Sequence, residues 1–359
     1  MATSVSDRFK KLLADLRHKY SLEDLRLILK DEDLGKAPGW EKLAERLDGG
    51  DAVLQAKADT VLRRLHADLI LAGTKDVQIF DLPKGDGAKI AAAMASLTPH
   101  SPNFSSAYPF SLAETDLRAL TSEHELVAKV PQANEDVSLV FCAKRTYEDR
   151  VHYDANQVTA AVQAAFAGFD KFIAIRKVDF QVFDVLTVRA KLDRIEVLID
   201  YPDRIQKPET TQHRCLALLG RAIDTVPSLK AVYEANRPLN LFACINNLYQ
   251  AKSEGRVSRL YLRSPTDSIK RESMTSAKDL RTEKFHAAGV IAVGAITPFD
   301  VTITWDSMLN VKGKVDAQVG TPISSLSIAE PYVSTARISG ARSDAAIIAV
   351  VNKLVSYST

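Results

Sequence analysis

Residues 171–202 read KFIAIRKVDFQVFDVLTVRAKLDRIEVLIDYP, with no glycine and with proline only at the end. Ile, Val, Phe and Leu arrive in short bursts, the composition of consecutive strands rather than of a helix. The bursts predict strands over 171–180, 182–189 and 194–201, with Ala190-Lys191-Leu192-Asp193 as the turn before the last. So apolar a sheet needs helices on at least one face. The stretch reads as scaffold, because its carboxylates (Asp179, Asp184, Asp193, Glu196, Asp200) are not followed by the Glu-x-Lys of a familiar two-metal nuclease.

Upstream, strands are expected over 125–130 and 137–147, then a helix over 156–168. That helix would place Val158, Ala161, Val162, Ala165 and Phe169 on one stripe, with Asp154 or Asn156 as cap and Gly168 as stop. Strand, strand, helix, strand, strand, strand argues for a mixed, largely antiparallel α+β sheet. Downstream the pattern gives helices over 209–223, 227–235 and 239–251 and a strand over 256–263. A polar loop over 264–276 follows, then strands over 287–296 and 299–305, short strands and turns over 313–340, and a last helix over 344–355. The two halves of 125–359 do not align well enough to claim a duplication.

Residues 1–73 read as a helical module. Phe9, Leu12, Leu13 and Leu16 share one face, Ser21 and Asp24 resemble a cap for a second helix, and Asp51–Leu71 is the longest helical segment. Thirteen basic and thirteen acidic side chains over residues 1–72 leave the module neutral, suited to packing or to a protein partner. Residues 74–111 form a short αβ connector and loop, and 112–359 an α+β domain divisible at 207/208. The fold class is therefore α+β, a small N-terminal helical bundle followed by a larger, mainly antiparallel sheet region with flanking helices.

Three widely spaced cysteines, Cys142, Cys215 and Cys244, exclude a disulfide framework and fit a reducing compartment. No apolar run reaches the roughly 18–20 residues that span a bilayer, and MATSVSDRFKKLLADL lacks a signal pattern. A cytoplasmic protein is expected. With a net charge of +2, any polyanion must meet a local patch.

No local motif supports an enzyme, and no metal or cofactor is expected. The turn Pro83-Lys84-Gly85-Asp86-Gly87-Ala88-Lys89 sits between a strand and a helix as an anion loop would, but it lacks the P-loop pattern and carries Asp86. None of the seven histidines pairs with another at metal-ligand spacing. Glu123-His124-Glu125 could tune a general base, yet at a strand edge His124 is expected to be exposed.

The segment 252–284 carries nine basic residues against five acidic ones, among many hydroxyls. Forked guanidiniums and hydroxyls are what a phosphate backbone accepts, so Arg256, Arg259, Tyr261, Arg263, Lys270, Arg271, Lys278 and Arg281 are the candidate ligand-binding residues, with Tyr261 placed to stack. Lys144, Arg145 and Arg150 would extend the patch if the sheets adjoin. The competing reading is an ordinary surface neutralised by Glu254, Asp267, Glu272, Asp279 and Glu283. The expected function is a non-catalytic binding protein that contacts nucleic acid or another phosphate-rich ligand through 252–284 and a protein partner through the N-terminal helices. The alternatives are a protein-only adaptor or self-associating assembly subunit, and an enzyme whose site is assembled from scattered residues.

Overall fold

The computed structural model describes residues 5–17, 22–201, 208–308 and 311–359. Ser21 of the expected cap and Pro202 lie outside them. Four helices come first: α1 (Val5–Arg17), α2 (Leu22–Asp31), α3 (Trp40–Asp48) and α4 (Ala52–Leu71). They share a core in which Phe9, Leu12, Leu13 and Leu16 of α1 are all buried, the face that their spacing predicts. Asp51 caps α4 by accepting the Leu54 amide at 2.8 Å, and His66 bonds the Leu12 carbonyl oxygen at 2.8 Å, tying α4 to α1.

The strands are β1 (Gly73–Asp81), β2 (Glu125–Pro131), β3 (Val137–Asp154), β4 (Lys171–Arg189), β5 (Arg194–Asp200), β6 (Arg256–Arg263), β7 (Ile269–Ser273), β8 (Thr297–Met308), β9 (Val311–Gly320) and β10 (Ala336–Ala341). They form one ten-stranded sheet in the order β2-β3-β4-β5-β1-β10-β9-β8-β6-β7. Each neighbouring pair is antiparallel, so the sheet is not mixed. The segment 74–111 contributes β1, which pairs with β5 on one side and β10 on the other.

Side chains alternate across a strand, and the two faces are covered differently. On one face Val77, Val185, Leu198, Val301, Ala317 and Ile338 pack with α10 (Phe242–Gln250) and α12 (Asp344–Tyr357). On the other face Phe80, Leu139, Leu186 and Val197 pack under α5 (Asp86–Ala95) and α8 (Pro208–Ile223). This second core contains no residue of β6–β10. There the alternate positions, Arg259, Tyr261, Asp300, Thr302, Gln318 and Arg337, are polar or aromatic and half-buried.

Four sequence expectations about these elements are corrected. The strands over 171–180 and 182–189 are one, because nothing between them bends the chain and β4 pairs with β3 without a break from Val188 to Lys171. The helix over 156–168 shrinks to a 3-10 turn and α7 (Ala160–Ala165), neither with a buried residue. Short helices depend on tertiary packing, and α7 has little, with Val162 half-buried and its C-cap Phe166 against Phe172. Residues 287–296 do not form a strand; α11 (Lys284–Val293) begins at the Glu283 carboxylate, which accepts the His286 amide at 2.8 Å. An apolar run without a period does not distinguish strand from helix. The expected loop 264–276 also contains β7.

Arg189 is 1% exposed and bridges three carboxylates. Its Nη2 donates to Glu196 at 2.7 Å and to Asp344 at 2.7 Å, and its Nη1 reaches Asp136 at 3.3 Å. The start of α12 is thereby bound to β4 and β5. Arg189→Met removes the shared cation from buried acids, and a loss of about 3–5 kcal/mol is expected in urea unfolding. A loss below about 1 kcal/mol would show the network to be dispensable.

Candidate functional site

The basic segment lies at one end of the sheet. In the β6–β7 hairpin Tyr261 stands opposite Arg271. The Arg259 and Arg271 guanidinium carbons lie 5.5 and 5.4 Å from the Tyr261 ring centre, so the three form one stack. Arg256 is held by both oxygens of Asp306, at 2.8 and 3.0 Å. Arg259 lies 3.6 Å from Asp300 and Arg263 3.9 Å from Asp267. Lys270 and Lys278 are exposed and form no ion pair among the described residues.

Arg281 has a different setting. It pairs with Asp279 at 2.7 Å and donates to the carbonyl oxygens of Ala251 and Gly255, each at 2.6 Å. Its guanidinium closes the turn between α10 and β6. Two of the counter-ions, Asp300 and Asp306, come from β8, outside the segment, and local sequence does not reveal them. Beside the stack, Arg259 Nε, Asp300 Oδ1 and Thr302 Oγ1 are buried without a hydrogen bond. Burial raises the Asp300 carboxyl above its ordinary value, opposed by the Gln318 hydrogen bond and the Arg259 charge.

The turn at 83–89 already holds an anion, supplied by the chain itself. The Gly85 and Gly87 amides donate to the two oxygens of Asp193, each at 2.9 Å, and these bonds lower the Asp193 carboxyl. A Cβ on Gly87 would come within 2.8 Å of the Ala190 oxygen.

His124 is buried, 3% exposed, not exposed as expected. Its Nε2 lies 2.8 Å from Asp184 Oδ2 and 3.1 Å from Arg145 Nη2. Burial alone would raise the Asp184 carboxyl; the His124 hydrogen bond, the charges of His124 and Arg145, and the Asp200 amide bring it below its ordinary value. Asp184 lies 60 residues from His124, too far for a local motif to announce the pair. Cys142, Cys215 and Cys244 are buried, and burial pushes all three thiols up, which disfavours the nucleophilic thiolate. Among the described residues no group of three or more His, Cys, Asp or Glu is placed to hold a metal ion, and no helix is long and apolar enough to cross a membrane.

Apolar side chains also lie exposed on the segment that reads as scaffold in the sequence. β2 pairs with β3 only as far as Cys142, and β5 meets β4 only from Val185 onward. Beyond these points the eleven pairs from Lys144–Gln181 to Asp154–Lys171 form a two-stranded arm, about 35 Å long at ~3.4 Å per residue. By the register Tyr147, Val151, Tyr153, Phe172, Ala174, Val178 and Phe180 share one face of it, interrupted by the Asp149–Arg176 ion pair at 2.8 Å, and Val151 and Ala174 are the exposed members. Tyr147 packs edge-on to Phe180 at 5.7 Å, and Phe166 to Phe172 at 6.2 Å. Ile173 and Ile175, on the opposite face, are 53% and 54% exposed. At the other end of the sheet order, α11 buries only His286 and leaves Phe285 81% and Ile291 84% exposed. Composition predicts strands over 137–147 and 171–180; it shows neither the extension of β3 to Asp154 nor the exposure of Ile173 and Ile175.

Arg281→Ala leaves carbonyl oxygens unpaired at a cost of about 1–3 kcal/mol, so a drop of several degrees in the thermal midpoint is expected, whereas Lys270→Ala should leave the midpoint in place. Equal midpoints for the two variants would remove Arg281's structural role. No protein-family model matches the chain, and no curated protein matches it.

Proposed function

We propose that this chain is an assembly subunit that packs against further copies of itself through the arm and α11. The observation that carries the reading is the largely apolar face of a ribbon that no third strand extends among the described residues. Exposed apolar patches of this kind mark interaction surfaces. Residues 144–181 carry six Lys or Arg against five Asp or Glu, and the whole chain is near neutrality, so like copies repel one another little. The arm and α11 belong to opposite ends of the sheet order, which suits a head-to-tail contact. One face of the ribbon offers on the order of 350 Å², less than the ~800 Å² per partner of a stable interface. A single contact is therefore weak, and association depends on concentration.

Sedimentation velocity over a concentration series tests this. The parent should gain mass with concentration, while Val151→Asp and Ile291→Asp stay monomeric with unchanged circular dichroism. A parent that remains monomeric at its solubility limit, or variants that associate as the parent does, would sink the proposal.

A second reading, contact with a phosphate polymer through β6–β7, is favoured by the Arg259–Tyr261–Arg271 stack. It ranks lower because carboxylates lie against Arg256, Arg259, Arg263 and Arg281. If it holds, Arg259→Ala with Arg271→Ala should reduce the slope of log affinity against log salt by about 1.4 for a single-stranded oligonucleotide. Undetectable oligonucleotide binding by the parent at low salt would end it.

A further inference from the structure

A cleft of about 530 Å³ opens where the arm leaves the sheet. Its walls are Ser122–His124, the Arg145 side chain, and the α8 positions His213, Arg214 and Arg221, with Asp224 beyond them. Three guanidiniums from two elements face this space, and each is held differently. Arg221 is anchored by the His124 carbonyl oxygen at 3.1 Å and by Asp224 at 2.8 Å. Arg145 donates to the Ser122 carbonyl oxygen at 3.0 Å and reaches His124 Nε2 and Asp184 Oδ2 at 3.1 and 3.4 Å, while its buried Nε has no partner. Arg214 is half-buried and forms no ion pair or side-chain hydrogen bond among the described residues.

The cleft's acids offset two of the three guanidiniums, Arg145 through Asp184 and Arg221 through Asp224, and leave the Arg214 charge without a carboxylate partner among the described residues. Asp184 lies beneath it, fully enclosed, and already serves His124, Arg145 and the Asp200 amide. Asp224 is bound to Arg221, and Glu123 is exposed. Burial holds the Arg145 guanidinium below its usual value; the Asp184 charge opposes this, and the smaller effect of the nearby Arg214 charge adds to it. Two cations that disfavour each other across a concave space are the electrostatic complement of a bound anion. Guanidinium forks match the oxygens of phosphate, and the volume lies within the ~300–1,000 Å³ of small-molecule sites.

We infer that this cleft binds a phosphate-bearing small molecule, its phosphate held between Arg145 and Arg214 with Arg221 fixing the wall. The site is independent of the arm's apolar stripe, so either proposal can fail alone.

Isothermal titration of the full chain with inorganic phosphate and with pyrophosphate, against citrate at matched ionic strength, tests it. Both phosphates should bind, and Arg214→Gln should weaken them at least about tenfold, the effect of losing one charge-assisted contact. The unliganded thermal midpoint of Arg214→Gln reports on folding, and Arg221→Lys serves as a second variant if that midpoint falls. Absence of phosphate binding by the parent, unchanged affinity in a folded Arg214→Gln, or tighter binding of citrate than of pyrophosphate would each overturn the inference.

Discussion

Ten strands form one sheet because of a single short seam. β1 meets β10 over Gly73–Ala341, Lys75–Ile338, Asp76–Arg337 and Val77–Ala336, with an irregularity after the first pair. Side chains reinforce it: Arg337 Nε donates to Asp76 at 2.8 Å, and Asp76 also accepts the Thr211 hydroxyl from α8. Gln78 reaches Ser334 and Thr335 just before β10. Lys75, in the same strand, is fully buried and donates to the Phe183 carbonyl oxygen at 2.7 Å and to Asp200 at 3.2 Å. Buried charges persist only where they are paired and hydrogen-bonded, so β1 cannot leave the sheet without stranding ions. Five strands on each side depend on it.

The unequal covering of the sheet follows from the helices that each half provides. α5 and α8 close the second face over β1–β5, and β6–β10 are left with a polar face that needs no cover. Where a face stays wet, polar residues in the alternate positions are what a sheet tolerates. The arm departs from this rule. One of its faces is largely apolar although, among the described residues, no third strand pairs with it; Phe166 packs on Phe172, and the short helix Glu114–Arg118 lies at its base.

What the sequence made legible was local. The limits of β6 coincide with the run of charged and apolar residues over 256–263, whose alternation breaks at Ser258–Arg259, and α1 presents the face that its leucines announce. What stayed hidden depended on distance or on the absence of a neighbour. Nothing near His124 points to Asp184, and Arg145 and Arg214 come together only because β3 and α8 pack. An uncovered Ile175 reads the same in the sequence as a buried Val185, since hydropathy records what a residue prefers and not whether its neighbours oblige. α11 was misread for a related reason: an apolar run has no polar face to reveal its period.

The place of β7 gives its charges another meaning. A terminal strand exposes unpaired amides and carbonyls on which a foreign strand can grow. β7 is five residues long and carries Lys270, Arg271 and Glu272 in succession, the short, charged strand that resists such addition. At the opposite margin β2 ends in Pro131, which lacks an amide hydrogen, and the Lys129 ammonium is bound to the Ala95 and Leu97 carbonyl oxygens. Both margins of the sheet are thus guarded against edge-to-edge aggregation, and part of the cationic excess in the β6–β7 segment has a protective use that requires no ligand.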